Sequence, residues 1–248
     1  MPVSITQALD IIYQNTPVVN SELIPIEMAL GRVMSEDSIA TFDLPRFDNS
    51  AMDGYAVKCA DAGTIVACTD IIYAGDDPKM TLQETKAIKI MTGAPIPQGC
   101  EAVIPVENVT VDGTKVSLPA EIQQDGHIRR AGEDIKKGSV YLHKGETVTA
   151  YSIALLASQG VTHLRVTRKI KVAVFGTGDE LRPHFEKIES HQLYNSNTPM
   201  FLARAKDLGC EVVYIGSSGD TVESLEGALR SAVDADVLVG GGGCWMGG

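Results

Sequence analysis

The sequence predicts a mixed α/β and β fold with several domains: a β-rich module inserted in a small α+β domain, followed by a doubly wound parallel α/β domain. The run Val172-Ala-Val-Phe175 is apolar at every position, as strands with helices on both faces are. Strands alternate with helices from residue 170 to residue 239, which is typical of a parallel sheet. Between residues 42 and 137, short alternating segments are separated by glycine and proline, which indicates a β-rich module.

Local signals predict individual elements within these domains. Ser4 begins a capping box ahead of an amphipathic helix, and Thr149 is the expected N-cap of an apolar helix that ends at Gly160. The dipeptide Asp112-Gly113 lies between two β-like segments and predicts a hairpin. Later signals predict, in order, a polar turn at 194–198, a helix closed by Gly209, a strand at 211–215, a loop at 216–220, a helix capped by Thr221 and a strand at 237–239. The predicted domains are 1–40 with 138–169, 41–137, and 170–248.

Composition limits the classes of partner. With 248 residues, of which 44% are hydrophobic and 21% charged, the chain has an ordinary globular balance. The net charge of −11 argues against nucleic acid or an anionic membrane as the principal partner. No apolar run approaches the roughly 18 residues that a membrane span requires. The five cysteines form no C-x-x-C pair and the N-terminus has no signal-peptide pattern, so we expect a reduced, cytoplasmic protein.

A glycine-flanked loop, Gly176-Thr-Gly-Asp-Glu-Leu181, follows the predicted strand at 172–175. Ligand sites of parallel sheets lie beyond the carboxyl ends of the strands, so we expect chemistry here. The dinucleotide fingerprint fails because Leu181 stands where a third glycine or alanine is needed. Asp179 and Glu180 would repel a phosphate that backbone amides alone bind, whereas they would bind a hard cation such as Mg²⁺ that itself carries phosphate. The loop therefore predicts a metal-bridged anion site.

Two loops of the β-rich module, residues 48–55 and 91–97, are dense in polar atoms. Asn, Asp and Ser in turns usually serve their own backbone, and that explanation is sufficient for any one of these residues alone. Asp53, Thr92 and, further along, Asp134 share a feature: each lies close to a glycine in a loop whose packing needs neither a carboxylate nor a hydroxyl. As a set, they are candidates for a functional site.

The adjacent pair Arg129-Arg130 is open to two interpretations. Two guanidinium groups could bind a phosphate bidentately. Equally, an exposed basic pair could balance the acids of the neighbouring segment Gly132-Glu-Asp134. The sequence alone does not choose between these alternatives.

Six motifs follow one another along nearly the whole chain. They are Leu23-Ile-Pro-Ile-Glu-Met-Ala-Leu-Gly-Arg32, Phe47-Asp-Asn-Ser-Ala-Met-Asp-Gly-Tyr-Ala56, Met91-Thr-Gly-Ala-Pro-Ile-Pro97, Arg130-Ala-Gly-Glu-Asp-Ile135, Thr177-Gly-Asp-Glu-Leu181 and Tyr194-Asn-Ser-Asn197. Any one of them is weak, whereas six in this order closely resemble the molybdopterin molybdenumtransferase family, with the bacterial MoeA proteins and the gephyrin E domain.

The resemblance implies a function in molybdenum cofactor biosynthesis. It implies a homodimer in which an acidic cleft, formed by the α/β domain of one subunit and the β-rich module of the other, binds adenylylated molybdopterin and molybdate. Molybdenum is then inserted into the dithiolene and AMP is released, with Mg²⁺ assisting. Other proteins of molybdenum cofactor biosynthesis are expected as partners. In this picture the 170–248 domain is the molybdopterin-binding domain.

The resemblance also implies site residues. The acids of the cleft are Asp53, Asp134, Glu180 and Asp220, with Thr92 beside them. Our hypothesis is that Glu180 and Asp220 bind Mg²⁺ or the pterin end, while Asp53, Thr92 and Asp134 face the phosphate and molybdate. Carboxylates cannot bind oxyanions directly without a cation or a proton between them, so this picture requires the metal. Further residues expected to contact the pterin substrate are Gly176, Thr177, Gly178, Asp179, Asn195, Ser196 and Asn197.

The sequence departs from the family pattern after residue 239. The family continues into a Gly-Gly-Val-Ser-Val/Met-Gly loop followed by Asp, whereas this sequence has Gly240-Gly-Gly-Gly-Cys-Trp-Met-Gly-Gly248. The resemblance therefore predicts an incomplete, C-terminally truncated α/β domain with an unpaired strand edge. Two alternatives to an active transferase stay open: a catalytically incomplete molybdopterin-binding and dimerising module, and another α/β nucleotide-phosphate enzyme that uses the Gly176 loop.

Overall fold

The protein folds into two compact units. A computed structural model describes residues 3–77, 79–219 and 221–241. One unit contains Met1–Glu36 and His143–Gly248, and the other contains Asp37–Leu142. The predicted fold class, a multidomain α/β and β arrangement, is confirmed. The finer division into three domains stays a prediction.

Regular structure covers much of the described chain. The helices are α1 (Ile5–Asn15), α2 (Ala150–Ser158), α3 (Asn197–Asp207) and α4 (Val222–Ser231), and short 3₁₀ turns lie at Ile26–Met28, Cys59–Asp61 and Val106–Asn108. The strands are β1 (Ser21–Pro25), β2 (Ser38–Ile39), β3 (Asn49–Ser50), β4 (Gly54–Val57), β5 (Ile65–Ile72), β6 (Lys86–Ile90), β7 (Ala102–Pro105), β8 (Thr110–Asp112), β9 (Lys115–Ser117), β10 (Ile128–Arg129), β11 (Val140–Leu142), β12 (His163–Thr167), β13 (Lys171–Thr177), β14 (Leu181–Arg182), β15 (Leu193–Tyr194), β16 (Glu211–Ser218) and β17 (Val237–Gly241).

The Asp37–Leu142 unit is built on a six-stranded sheet in the order β7-β4-β6-β5-β9-β8. Side chains alternate between its faces, so Tyr55 and Val57 join one apolar cluster while Ala56 joins the other. Gly54 lies where β4 and β7 approach closely, because a Cβ added there would be 2.3 Å from the carbonyl oxygen of Ile104. The close packing of β4 against β7 thus fixes the end of the loop that precedes Gly54.

The predicted hairpin at Asp112-Gly113 is confirmed. Strands β8 and β9 pair antiparallel, with Asp112 opposite Lys115. Gly113 takes a φ of 59°, a left-handed conformation that glycine adopts without steric cost. This hairpin lies at one edge of the six-stranded sheet.

The other unit begins with the predicted capping signals. The Ser4 hydroxyl accepts a hydrogen bond from the Gln7 amide at the start of α1, and the Thr149 hydroxyl accepts one from the Ser152 amide at the start of α2. Helix α1 is amphipathic, as predicted, and none of its residues is buried. Helix α2 buries Leu156 completely. Among the described residues, no helix has both the length and the apolar character that crossing a membrane demands.

A three-stranded parallel sheet in the order β16-β13-β17 forms the α/β part of this unit. Val172 and Val174 of β13 pack against Leu202 and Ala205 of α3. Helix α3 connects β13 to one neighbour and α4 leads back across to the other. Since parallel crossovers are right-handed, connections in opposite directions place these helices on opposite faces of the sheet. This is the doubly wound arrangement that the sequence predicts.

The strand predicted at 211–215 is longer than expected, so its predicted end at Ile215 is wrong. Strand β16 continues to Ser218, and residues 216–218 pair with Phe175, Gly176 and Thr177 of β13. The register shifts just before Gly216, whose φ is 105°. A glycine in this conformation forms a bulge, after which the ladder resumes. The sequence signal, a glycine after an apolar run, is the same for a bulge and for a strand end.

Candidate functional site

Asp53 and Thr92 form one hydrogen-bonded pair in the Asp37–Leu142 unit. Asp53 Oδ1 accepts hydrogen bonds from both the Thr92 amide and the Thr92 hydroxyl, each at 2.7 Å. Backbone bonds bring the two loops together, because the Gly93 amide donates to the Ser50 carbonyl at 2.8 Å. The hydroxyl of Thr92 and then its amide hold the pKa of Asp53 below its usual range. The structure therefore brings these two candidates into contact.

This pair can accept hydrogen bonds but has little left to donate. The Thr92 hydroxyl proton points at Asp53, so the Thr92 oxygen presents lone pairs, and the ionised Asp53 carboxylate is an acceptor only. An oxyanion also presents only acceptors. The pair is therefore suited to an N–H donor, a water molecule or a cation, and it cannot bind molybdate or phosphate unaided.

Asp134 is placed by an ion pair. Arg129 Nη2 lies 2.6 Å from Asp134 Oδ1, and this bond raises the pKa of Arg129. The adjacent Arg130 contacts two other carboxylates, those of Asp48 and Asp125. Of the two interpretations of the Arg129-Arg130 pair, the structure supports the one in which the guanidinium groups balance nearby acids. Neither side chain is an unengaged phosphate ligand.

The loop after β13 carries two carboxylates close to glycine backbone. A Cβ added to Gly178 would lie 2.7 Å from Glu180 Oε2, and Gly178 itself has a φ of 141°. A Cβ added to Gly219 would lie 2.9 Å from Asp179 Oδ1. Within the described part of the chain, neither carboxylate makes a side-chain hydrogen bond or an ion pair. Both therefore keep their acceptor oxygens for a ligand at the carboxyl end of the parallel sheet.

Asn195 is buried against β13. Its Oδ1 accepts from the Thr198 amide at 3.1 Å, and its Nδ2 donates to the Thr198 hydroxyl at 2.9 Å. A Cβ at Gly176 would lie only 2.4 Å from Asn195 Nδ2, so the strand needs glycine there. The two buried side chains fix the start of α3 beside the loop that carries Asp179.

The remaining candidates have different local positions. Thr177 is the last residue of β13, and its hydroxyl donates to the Gly241 carbonyl at 3.4 Å. Ser196 is the N-cap residue of α3 but makes no side-chain capping bond, and Asn197 is the first residue of that helix. Asp220 lies outside the described residues, so its predicted role stays a prediction.

The chemistry of these donors is compatible with a hard divalent cation. Mg²⁺ binds through one or two carboxylates, keeps several waters and takes further oxygens from a substrate phosphate. Asp179 and Glu180 offer oxygens of that kind. Over the described ranges, no group of three or more His, Cys, Asp or Glu side chains could enclose a metal ion. The described residues thus fit a partly hydrated magnesium ion better than a closed structural metal site.

Comparison with known proteins identifies the family. Residues 3–160 match the MoeA N-terminal region (domain I and II), and residues 173–247 match a probable molybdopterin binding domain. The chain belongs to the MoeA family. The resemblance drawn from the six motifs is therefore confirmed.

Relatives agree with this assignment. A MoeA-family protein of Mycobacterium tuberculosis, named molybdopterin molybdenumtransferase 2, is 38% identical over 228 residues, which are 89% of this chain and 56% of that protein. The molybdopterin molybdenumtransferase of Staphylococcus epidermidis is 34% identical over 254 residues, 99% of this chain and 61% of that protein. A crystal structure of the molybdopterin biosynthesis moeA protein from Pyrococcus horikoshii OT3 has a TM-score of 0.90 at 29% identity, covering 97% of this chain and 66% of that one. The chain spans somewhat over half the length of the curated relatives it matches.

Sequence reasoning missed some of the residues that organise the candidate site. Thr198 supports Asn195, and the polar pair at i and i+3 just before a helix was an available signal for it. Asp48 and Arg130 bond across 82 positions of the chain. No local pattern predicts a pair so far apart.

Proposed function

We propose that this chain inserts molybdate into adenylylated molybdopterin and releases AMP. Its relatives are named molybdopterin molybdenumtransferase, and that name supports the transfer of molybdenum to molybdopterin. In balanced form, two dithiolene thiols replace one molybdate oxygen, which leaves as water with both thiol protons. One water is consumed when the phosphoanhydride bond to AMP is cleaved. The observation that carries the proposal is the pair of carboxylates, Asp179 and Glu180, which have no side-chain partner among the described residues and lie at the carboxyl end of the parallel sheet.

Magnesium has a defined task in this proposal. The residues proposed to bind it are Glu180 and Asp220, with Asp179 as a further oxygen donor beside Gly219. When bound, Mg²⁺ would neutralise the phosphate charge that the acidic loop otherwise repels. The carboxylates themselves orient the cation and exclude anions that arrive without one.

The Asp53-Thr92 pair is proposed to face the substrate from the Asp37–Leu142 unit. Because this pair presents acceptors, we assign it to N–H groups of the pterin or to water on molybdate rather than to bare molybdate oxygens. Asp134 is proposed to face the phosphate across a bound cation, while Arg129 holds its carboxylate in place. The remaining proposed pterin contacts are Gly176, Thr177, Gly178, Asn195, Ser196 and Asn197.

The assembly and the compartment are also proposals. We propose a homodimer in the cytoplasm, receiving the adenylylated pterin from other proteins of molybdenum cofactor biosynthesis. Reduced thiols are in keeping with that compartment, since Cys59, Cys68, Cys100 and Cys210 are free. Sedimentation velocity of the purified chain tests the dimer directly, because a monomer at micromolar concentration would contradict it.

A single assay tests the reaction. Purified chain is incubated with adenylylated molybdopterin and molybdate, with and without Mg²⁺, and AMP is measured by chromatography. Release that depends on both molybdate and Mg²⁺ supports the transferase. The alternative, a molybdopterin-binding and dimerising module, predicts binding of the pterin without AMP release. Omitting molybdate is the control that separates insertion from simple hydrolysis of the phosphoanhydride.

A further inference from the structure

Asp48 joins the loops that carry the candidate residues of the Asp37–Leu142 unit. Those residues lie on three segments, which are 48–53, 91–97 and 125–135. The backbone carbonyl of Asp48 accepts from the Ile96 amide at 3.0 Å. Its Oδ1 accepts from the Ala131 amide at 2.8 Å. One residue of the first segment therefore bonds to both of the others.

Arg130 extends this junction with both ends of its guanidinium. Nη1 donates to Asp48 Oδ2, and Nη2 donates to Asp125 Oδ1. The Arg130 amide also donates to Glu133 Oε2 at 3.1 Å, next to Asp134. Partial burial would by itself raise the pKa of Asp48, yet the bonds from Ala131 and Arg130 hold it below its usual value. The carboxylate is thus ionised, and each of its oxygens accepts a bond from a neighbour.

The turn that contains Asp125 is conformationally costly. Asp125 has a φ of 61° and His127 a φ of 53°, both in the left-handed region that residues other than glycine seldom adopt. The His127 carbonyl accepts from the Ala51 amide at 3.0 Å, two residues before Asp53. The ion pair to Arg130 offsets part of the cost of this turn, so that loop 48–53 keeps its backbone partner.

We propose that Arg130 is a positioning residue for the reaction proposed above. Its planar fork spans Asp48 and Asp125 and thereby fixes the orientation in which Asp53 and Thr92 meet the substrate. Arg130 touches no reacting atom in this role. A lysine keeps the charge but provides one compact ammonium, which cannot reproduce a two-armed contact. The charge-conserving change Arg130→Lys therefore removes the positioning without removing the positive charge.

Amide hydrogen exchange tests the positioning without any enzymatic activity. In Arg130→Lys and in Asp48→Asn, we expect exchange of the Thr92 and Ala131 amides to accelerate by about fivefold to tenfold, the loss of one ordinary hydrogen bond. Exchange of the core amide of Leu156 in α2 is expected to be unchanged. Because the two substitutions break one junction, the double variant is expected to exchange no faster than either single variant. Unchanged exchange at Thr92, or fully additive effects, would overturn the proposal.

Turnover separates positioning from binding and from simple loss of folded protein. Per folded molecule, Arg130→Lys is expected to lower kcat for AMP release about tenfold and to change KM for adenylylated molybdopterin less than twofold. A raised KM with unchanged kcat and unchanged exchange would instead make Arg130 a ligand for the phosphate. The matched control is Arg165→Lys, since Arg165 forms an exposed ion pair with Glu36 in the other unit. We expect wild-type exchange and turnover from it.

The exchange and turnover measurements together distinguish failure of the proposed reaction from failure of the positioning role. If wild-type chain releases no AMP, the proposed reaction is wrong, and the exchange measurement still decides whether Arg130 fixes the loops. If wild-type chain is active and Arg130→Lys matches it in kcat, the positioning role is wrong while the reaction stands.

Discussion

The candidate acids of the two units differ in how they are held. In the Asp37–Leu142 unit, Asp48, Asp53 and Asp134 each accept a hydrogen bond from a side chain, and two of them pair with arginines. In the other unit, Asp179 and Glu180 have no such partner among the described residues. All three partnered acids have a fixed direction, and the two that pair with arginines also have a compensated charge. Adjacent unpartnered acids repel each other, and a bound cation relieves that repulsion.

The two sets of acids are expected to contribute differently to the proposed site. Acids that their own unit neutralises contribute shape, because moving them breaks several bonds at once. Acids that their own unit leaves uncompensated contribute affinity for a cation, because binding a cation satisfies them. Substitutions in the two sets should therefore impair the protein in different ways.

Replacing Glu180 with Ala should have the largest effect. We expect molybdate-dependent AMP release to fall by at least about a hundredfold, the size of losing a main electrostatic contact in a reaction site. Dimerisation and thermal stability should be unchanged, since the Glu180 carboxylate forms no bond with the described residues. The measurement is AMP release at saturating Mg²⁺. Wild-type turnover would remove Glu180 from the site.

Asp53→Asn should have a smaller effect, because the amide oxygen can still accept the bonds from Thr92. We expect about a tenfold loss of kcat with little change in the Mg²⁺ requirement. A shift in the Mg²⁺ concentration for half-maximal activity would show that Asp53 contributes to cation binding, as Asp179 and Glu180 are proposed to do. A Mg²⁺ titration of both proteins measures this.

Gly176→Ala should destabilise the parallel sheet β16-β13-β17. Its Cβ would displace Asn195, so we expect a loss of about 1–3 kcal/mol in the free energy of unfolding, as for other overpacked cores. Gly227→Ala is the matched control: it lies inside α4 with no heavy atom within 4 Å of the new Cβ, and helix propensity favours alanine by about 1 kcal/mol. Urea unfolding of both variants is the measurement. Equal midpoints for the two would mean that Asn195 relocates freely.

Asp236→Asn should produce the smallest effect, visible as a pH dependence. Asp236 accepts from Arg168 through both oxygens at 2.6 Å and from the Lys171 amide, and these bonds hold the pKa of Asp236 far below its usual range. A carboxylate whose pKa is lowered in the folded state makes its full contribution to the stability of the fold above its unfolded pKa of about 3.9. It loses that contribution as the pH falls towards its pKa in the folded state.

The difference in Tm between wild type and Asp236→Asn should therefore be constant from pH 7 to about pH 5 and should shrink below about pH 4. Thermal unfolding followed by circular dichroism at several pH values measures it. A difference in Tm that grows on acidification would contradict the direction assigned to this pKa.

Sequence signals were sufficient where the physics is local. The caps at Ser4, Thr149 and Thr221 follow from a hydroxyl three residues before an amide, and all three form as predicted. The sequence grouped Asp53 and Thr92 as candidates for one site but did not predict their hydrogen bonds. Those bonds depend on the packing of two loops 39 positions apart.

Other features could not be derived from the sequence. The junction of Asp48, Asp125 and Arg130 depends on three loops converging, and each residue alone has the ordinary character of a turn residue. At Gly216 the sequence wrongly predicted the end of a strand, because a bulge and a strand end have the same local sequence. Long-range convergence and backbone irregularity are therefore the parts that required coordinates.

The close approach of β4 and β7 at Gly54 restricts how this protein can diverge over generations. Any side chain at that position would collide with the Ile104 carbonyl, so a substitution of Gly54 would disrupt the pairing of β4 with β7 whatever its effect on activity. The chain therefore enters β4 at one fixed point, and the Asp53 carboxylate projects from the residue just before it.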